Sequence, residues 1–343
     1  MFDFLDAWLA SPVVLVILLI VVFVALVKGA DWLVDGASGL AKRWGVSDLV
    51  IGLTVVAFGT SMPEFVVNII SAFQGSSELA ITNILGSNSI NIFVILGLTA
   101  LIWPVSSKPQ SRKVDIPVAF IASVLVLFFA CYTQPVHWDW HSFGHFHIAG
   151  PNDYISRLGG FALVVCFVIY MVYLFRHAKE NTDENESFEP MKVWKALLFV
   201  LVGLCCLTIG GELIVKSATQ MARNLGISDA IIGLTVVALG TSLPELATSC
   251  MAAAKKNSDL ALGNCVGSCI FNVFFVLGIT ACVRPLAAYD GVVLDAFMAF
   301  LGPAFAFLFV VNDKHKRINR YEGAALLLIY FGYLGYRLYP LIG

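Results

Sequence analysis

Charge is what this chain has least of. Only 13% of its 343 residues are Asp, Glu, Lys or Arg, against roughly 25% in soluble domains, and that shortage excludes an ordinary water-soluble globule. The net charge of −2 leaves no basic footprint for nucleic acid. Histidine is scarce too. The six histidines all lie outside the long apolar runs, so an H-E-x-x-H zinc site inside them is excluded, and there is no G-x-S-x-G elbow for a serine hydrolase. With neither pattern present, an enzyme is not expected, nor is a cofactor. The eight cysteines (131, 166, 205, 206, 250, 265, 269 and 282) include no CxxC and fall in apolar runs or at their ends. Packing, not a disulfide framework, is their expected role.

Apolar length is abundant. Hydrophobic residues make up 59% of the chain and the mean hydropathy is +0.86. A spanning helix needs about 20 apolar residues, and runs of that kind occupy 12–27, 49–73, 79–103, 116–133, 155–175, 194–215, 230–254, 260–283, 292–311 and 322–342. The expectation is an all-α polytopic membrane protein with ten transmembrane helices and the lipid bilayer as its main partner. No obligatory protein partner is evident. The first run follows Asp3 and Asp6 and not a basic segment, so it is read as a helix and not a signal peptide. If loops alternate from an outside N-terminus, one face carries fifteen Lys and Arg and the other five. The positive-inside rule then places both termini away from the cytoplasm, in a cell inner (cytoplasmic) membrane. The acidic segment 180–190 becomes a short cytoplasmic linker.

The chain also repeats itself. Shifted by 181 residues, "IGLTVVAFGTSMPE" (51–64) meets "IGLTVVALGTSLPE" (232–245), identical at twelve of fourteen positions. "NILGSNSIN" (83–91) meets "NCVGSCIFN" (264–272), and Pro104 meets Pro285. Five expected spans separate equivalent points. Five is odd, so the second copy should be upside down relative to the first, as in many secondary transporters. Two inverted five-helix halves, 1–176 and 194–343, joined by a linker over 177–193, are expected.

Each copy carries the same costly interruption. Pro63 and Pro244 lack an N–H and break or kink their helices; Gly59 and Gly240 let the backbone bend. Carbonyls around Ala57–Thr60 and Ala238–Thr241 should lose their helical partners, and in lipid such groups must line a cavity or a bound ion. Thr60, Ser61, Thr241 and Ser242 add neutral oxygens; Glu64 and Glu245 add charge. That is a hard-cation ligand set, suited to calcium or sodium. On the following helix of each copy Ser87 and Asn91, and then Ser268 and Asn272, are four apart and share a face, with Gly86 and Gly267 beside them. A proline kink or a backbone-bonded serine is common in membrane helices, but an intramembrane glutamate repeated in both copies points to a functional site. Asn68, whose counterpart is Ser249, is assigned only an exposed or packing role. Trp32 and Trp44 are read as interfacial anchors.

At these residues the chain resembles the cation/calcium exchanger superfamily, in its bacterial sodium/calcium antiporter branch: GTSMPE with GSNSIN, and GTSLPE with GSCIFN, look like its two alpha-repeats. The resemblance implies calcium ligands at Glu64 and Glu245 with the backbone carbonyls of Thr60 and Thr241. It implies sodium ligands at Ala57, Thr60, Ser61, Ser87, Ala238, Thr241, Ser242 and Ser268 with the two glutamates shared, and a polar pair at Asn91 and Asn272. It implies antiport of calcium against sodium by alternating access at a midplane site. Many relatives carry aspartate where this chain has Asn272, which argues against potassium co-transport. The proton-coupled branch usually has Asn-Ala in place of Thr-Ser, so Thr-Ser favours sodium; a proton/calcium antiporter is the alternative. A cation channel is a weaker rival, because two buried glutamates would hold calcium too tightly for fast flow. Four histidines at 137, 141, 145 and 147 match no standard zinc spacing and are read as part of an aromatic, interface-hugging outer loop.

Overall fold

The computed structural model describes residues 12–132, 153–178, 191–224, 238–289 and 291–342. The histidine loop, the acidic linker and residues 230–237 of the 230–254 run lie outside the described residues.

Two long helices come from corresponding places in the two copies: α1 (Pro12–Trp44) and α7 (Val193–Asn224). Both outrun the apolar stretches that announced them, 12–27 and 194–215. The charges that follow are paired. In α1, Asp31 and Asp35 both bind Lys255 Nζ at 2.6 Å. In α7, Glu212 pairs with Lys216 one turn on, at 3.4 Å, the spacing that supports a helix. The two helices pack along each other at glycines: a Cβ added to Gly29 would stand 2.6 Å from that of Cys206, and one on Gly203 would stand 2.7 Å from the carbonyl oxygen of Gly29. The outer face of α1 is bare hydrocarbon, with Ile20 and Phe23 each about 60% exposed. The ring of Trp32 lies 6.5 Å from that of Phe199 on α7, so it packs between these helices; Trp44 is exposed.

The run 49–73 is not one helix. It forms α2 (Asp48–Thr60) and α3 (Met62–Gln74), bent by 47°. Next comes α4 (Ser77–Ile102), then α5 (Ile116–Tyr132) and α6 (Arg157–Arg176). In the second copy α8 (Ala238–Gly240) and α9 (Leu243–Ala254) are the described parts of the broken run. They are followed by α10 (Ser258–Val283), α11 (Val292–Asn312) and α12 (Arg320–Ile342). Among the described residues seven helices are long and apolar enough to cross a bilayer, or eight with the bent pair as one span. Helix α12, over the tenth expected run, is outside that set; five tyrosines and Arg337 dilute its apolar character.

Helices α4 and α10 form the centre: 83% and 78% of their most apolar stretches are buried, against 22% for α6. Both switch from α to π winding at equivalent places, Ile90–Leu96 and Phe271–Leu277. A π segment widens the turn and is frequent at functional sites; here it takes in Asn91 and Asn272. Two short antiparallel pairs tie one copy to the other at the helix ends. They are β1 (Val105–Ser106) with β4 (Arg317–Ile318), and β2 (Asp153–Ile155) with β3 (Leu286–Ala287).

Candidate cation site

The broken helix of the first copy lies against the central helix of the second. Contact is backbone to backbone, because α10 presents Gly263 and Gly267 one turn apart, the small-xxx-small pattern that lets helices approach. A Cβ on Gly263 would stand 2.8 Å from the carbonyl oxygen of Leu49, and one on Gly267 would stand 2.9 Å from both the Cβ of Ala57 and the Cα of Leu53. This approach carries the α2–α3 break to the polar face of α10.

The break has the same shape in both copies. Ser61 sits at φ −87°, ψ 9° and Ser242 at φ −89°, ψ 6°, the sparsely populated bridge between helix and strand. Proline enters the next helix within its first two positions each time, where its missing N–H is tolerated. One expectation needs correction. The carbonyl of Ala57 does not lose its helical partner: Ser61 N donates to it at 3.0 Å, and Thr60 Oγ1 approaches it at 3.5 Å. The carbonyls that Pro63 and Pro244 cannot serve are those four residues before them, on Gly59 and Gly240.

Around the breaks the two copies exchange hydrogen bonds in matched pairs. Ser61 Oγ donates to Glu245 Oε1 at 2.8 Å, and Ser242 Oγ approaches Glu64 Oε1 at 3.4 Å. Ser61 Oγ lies 3.1 Å from Ser268 Oγ, and Ser242 Oγ lies 3.2 Å from Ser87 Oγ. Ser87 also bonds Glu64 Oε1 at 3.2 Å. Asn272 Nδ2 donates to Ser87 Oγ at 3.2 Å, and Asn91 Nδ2 reaches it at 3.5 Å. Glu64, Glu245, Thr60, Ser61, Asn91, Ser268 and Asn272 are fully buried, with Ser87 and Ser242 nearly so. Thr241 is half-buried, and the side chain of Ala238 lies outside the described set.

Four oxygens in this cluster have no hydrogen-bond donor among the described residues: Glu64 Oε2, Glu245 Oε2, Asn91 Oδ1 and Asn272 Oδ1. All four are pure acceptors, carboxylate or amide carbonyl. Buried polar atoms are ordinarily paired, so four unpaired acceptors of this kind are what a bound cation would satisfy. Among the described residues no three or more His, Cys, Asp or Glu gather as metal ligands. Two carboxylates supplemented by neutral oxygens are the donor set of a hard cation.

Two positions carry structure that was not singled out from the sequence. Asn83 Nδ2 donates to the backbone carbonyl of Glu64 at 3.3 Å and to Asn68 Oδ1 at 2.7 Å. Asn264 Nδ2 does the same to the carbonyl of Glu245 at 3.3 Å and to Ser249 Oγ at 2.9 Å. Thr60 Oγ1 donates to Asn264 Oδ1 at 3.2 Å, which joins the first break to the second central helix. The clue was the spacing: 83, 87 and 91, and 264, 268 and 272, step by four along one face. Asn68 is fully buried and packs within this layer, not on the surface.

A family model described as "Sodium/calcium exchanger protein" matches residues 14–176 and 195–339. The chain belongs to the sodium/calcium exchanger family. The sodium/calcium exchanger MaX1 of Methanosarcina acetivorans is 31% identical over 342 residues, 93% of this chain and 97% of the relative. The inner membrane protein YrbG of Escherichia coli is 33% identical over 281 residues, covering 78% and 79%. Among solved structures, the sodium-calcium exchanger NCX_Mj soaked with Na+ and Sr2+ superposes with a TM-score of 0.77 at 28% identity, over 94% of this chain and 97% of that one. This exchanger is therefore a multi-pass membrane antiporter for cations, and the family it belongs to is one of transporters.

Proposed function

We propose that the chain exchanges calcium for sodium at one site between the two GTSxPE breaks, near the membrane midplane. The observation that carries this reading is the set of four buried acceptor oxygens with no donor, two from each copy and two of them carboxylate. Calcium takes six to eight oxygens at about 2.3–2.6 Å. Glu64, Glu245, Asn91 and Asn272 would supply side-chain oxygens, and Thr60 and Thr241 backbone carbonyls. Sodium would be held by the serines 61, 87, 242 and 268, by Thr60 and Thr241, and by the carbonyls of Ala57 and Ala238, with the glutamates shared. The Ala57 carbonyl can serve in this way because its second contact, Thr60 Oγ1 at 3.5 Å, is long and that hydroxyl also donates to Asn264 Oδ1 at 3.2 Å.

Charge explains why such a site would exchange and not leak. With both carboxylates ionised and the site empty, each charge costs roughly 2.5–3.5 kcal/mol at the bilayer centre. Moving an empty site past its gates would then cost about 5–7 kcal/mol, a slowing of roughly 10⁴- to 10⁵-fold. One calcium or two sodium ions bring the charge to zero. Three sodium ions leave it at plus one and make the cycle electrogenic. The burial of Glu64, Glu245, Thr60, Asn91, Asn272 and the four serines is what an occluded intermediate of alternating access requires.

The reading includes two inverted halves joined over 177–193; the matched hydrogen bonds and the family match in two segments support it. It also includes an inner-membrane location with both termini outside, supported by the Lys and Arg distribution and by the name of the Escherichia coli relative. The deciding experiment is calcium-45 uptake into proteoliposomes under an imposed sodium gradient or an imposed pH gradient, one at a time. Uptake driven by sodium alone supports the proposal. Uptake driven only by the pH gradient overturns sodium coupling and assigns protons as the counter-ion.

A further inference from the structure

Asn88 meets Cys269 where the two copies join. The two positions are equivalent under the 181-residue shift, so each faces its own counterpart. The contact is not symmetrical. Asn88 Nδ2 donates to the backbone carbonyl of Cys269 at 3.4 Å, and Cys269 Sγ donates to the backbone carbonyl of Asn88 at 3.8 Å. Asn88 has an amide oxygen in hand, and Asn272 Nδ2 donates to it at 3.1 Å. Cys269 carries no such acceptor for Asn91, whose Nδ2 has, among the described residues, the 3.5 Å contact to Ser87 Oγ.

An amide turns an oxygen one way and an NH₂ the other, and its partners decide which. Here the decision starts from a group that cannot be turned around, since a backbone carbonyl only accepts. The Cys269 carbonyl fixes the NH₂ of Asn88, which aims Asn88 Oδ1 at Asn272. That oxygen takes the NH₂ of Asn272. The remaining atom, Asn272 Oδ1, is left buried with no donor among the described residues, on an amide whose Nδ2 also donates to the Ser87 hydroxyl, itself bonded to Glu64 Oε1. Reversed, Asn272 would point two N–H groups at the same space and repel a cation.

We propose that Asn88 is a positioning residue that makes Asn272 a cation ligand, by holding its amide with the oxygen toward the ion. The role rests on the site proposed above. An aspartate at 272 would need no such help, because both its oxygens accept whichever way it turns. The two positions should therefore be coupled in a way that a packing role for Asn88 would not produce.

The test is a double-mutant cycle on the purified full-length protein, with calcium affinity read by titration calorimetry in sodium-free buffer. Asn88→Cys gives position 88 the residue its counterpart already carries. It is expected to weaken calcium binding about tenfold, the lower end of the 10- to 100-fold cost of losing an outer-shell partner. In the Asn272→Asp background the same change should leave affinity within about twofold, the usual error of additivity. Asn88→Ala repeats both arms without a thiol and stands in if the cysteine variant does not fold. Equal losses in both backgrounds, or no loss beside the native Asn272, overturn the role. Glu245→Gln separates this from failure of the site: if that variant binds calcium normally, the site assignment falls and the Asn88 role with it. If Glu245→Gln abolishes binding while the Asn88 losses are equal in both backgrounds, only the Asn88 role falls.

Discussion

Glu64 and Glu245 each spend one oxygen on serines and keep the other unpaired. That division makes them half structural and half available. Glutamine keeps the shape and the serine contact but removes the charge and puts an NH₂ in place of one of the two acceptor oxygens. Glu64→Gln and Glu245→Gln are each expected to abolish calcium exchange in proteoliposomes while the purified protein keeps its elution profile and melting temperature. A site charge of minus one cannot neutralise a divalent ion, so normal exchange in either variant would move the site elsewhere. Asn272→Asp acts in the opposite direction. It replaces a neutral oxygen with a charged one at a position already stripped of donors, and calcium affinity by titration calorimetry is expected to rise. The sequence revealed these residues because each is chemically out of place in an apolar run and occurs twice. Asn83 and Asn264 were not singled out, because their four-residue step to Ser87 and Ser268 places them on the right face but does not say that they bond a backbone carbonyl. Nor did the sequence reveal that the Ala57 carbonyl stays in the helical ladder, which depends on where the bend falls within a single turn.

At the scale of elements the site depends on how closely α2 lies against α10. Gly267 has backbone and Cβ atoms of the partner helix within 3 Å of where its own Cβ would be, and backbone cannot step aside as a flexible side chain can. Gly267→Leu is expected to lower the melting temperature markedly and to remove calcium binding. Gly267→Ala should do the same more mildly, since overpacking typically costs about 1–3 kcal/mol. Both readings come from a thermal shift assay run with and without calcium. The breaks were legible because glycine, proline and a glutamate fall within two turns of each run; proline alone does not end a helix, since α11 continues through Pro303. The lengths of α1 and α7 were not, because the charges that end their apolar runs are the ones that pair with Lys255 or with each other. The π segments were illegible as well: apart from Asn91 and Asn272, Ile90–Leu96 and Phe271–Leu277 are ordinary apolar sequence with no glycine or proline to mark a change of winding.

For the whole molecule, a site that is too costly to move empty makes exchange obligatory. Vesicles loaded with calcium-45 are expected to hold it in choline buffer containing EGTA at alkaline pH and to release it when sodium is added outside. Rapid release without any exchangeable cation would sink the proposed cycle. The duplication was visible at once from the 181-residue shift, but the sequence could not say how the two copies touch. They touch by lending hydroxyls: Ser61 of the first copy serves Glu245 of the second, while Ser242 approaches Glu64 in return. On the proposed reading neither half, alone, owns a finished binding site. Residues 1–176 and 194–343, produced as separate polypeptides, should each be inert when reconstituted singly. Produced together they should complement one another and restore sodium-dependent calcium uptake, so that the acidic linker is dispensable for transport and the chain behaves as a heterodimer that happens to be covalently joined.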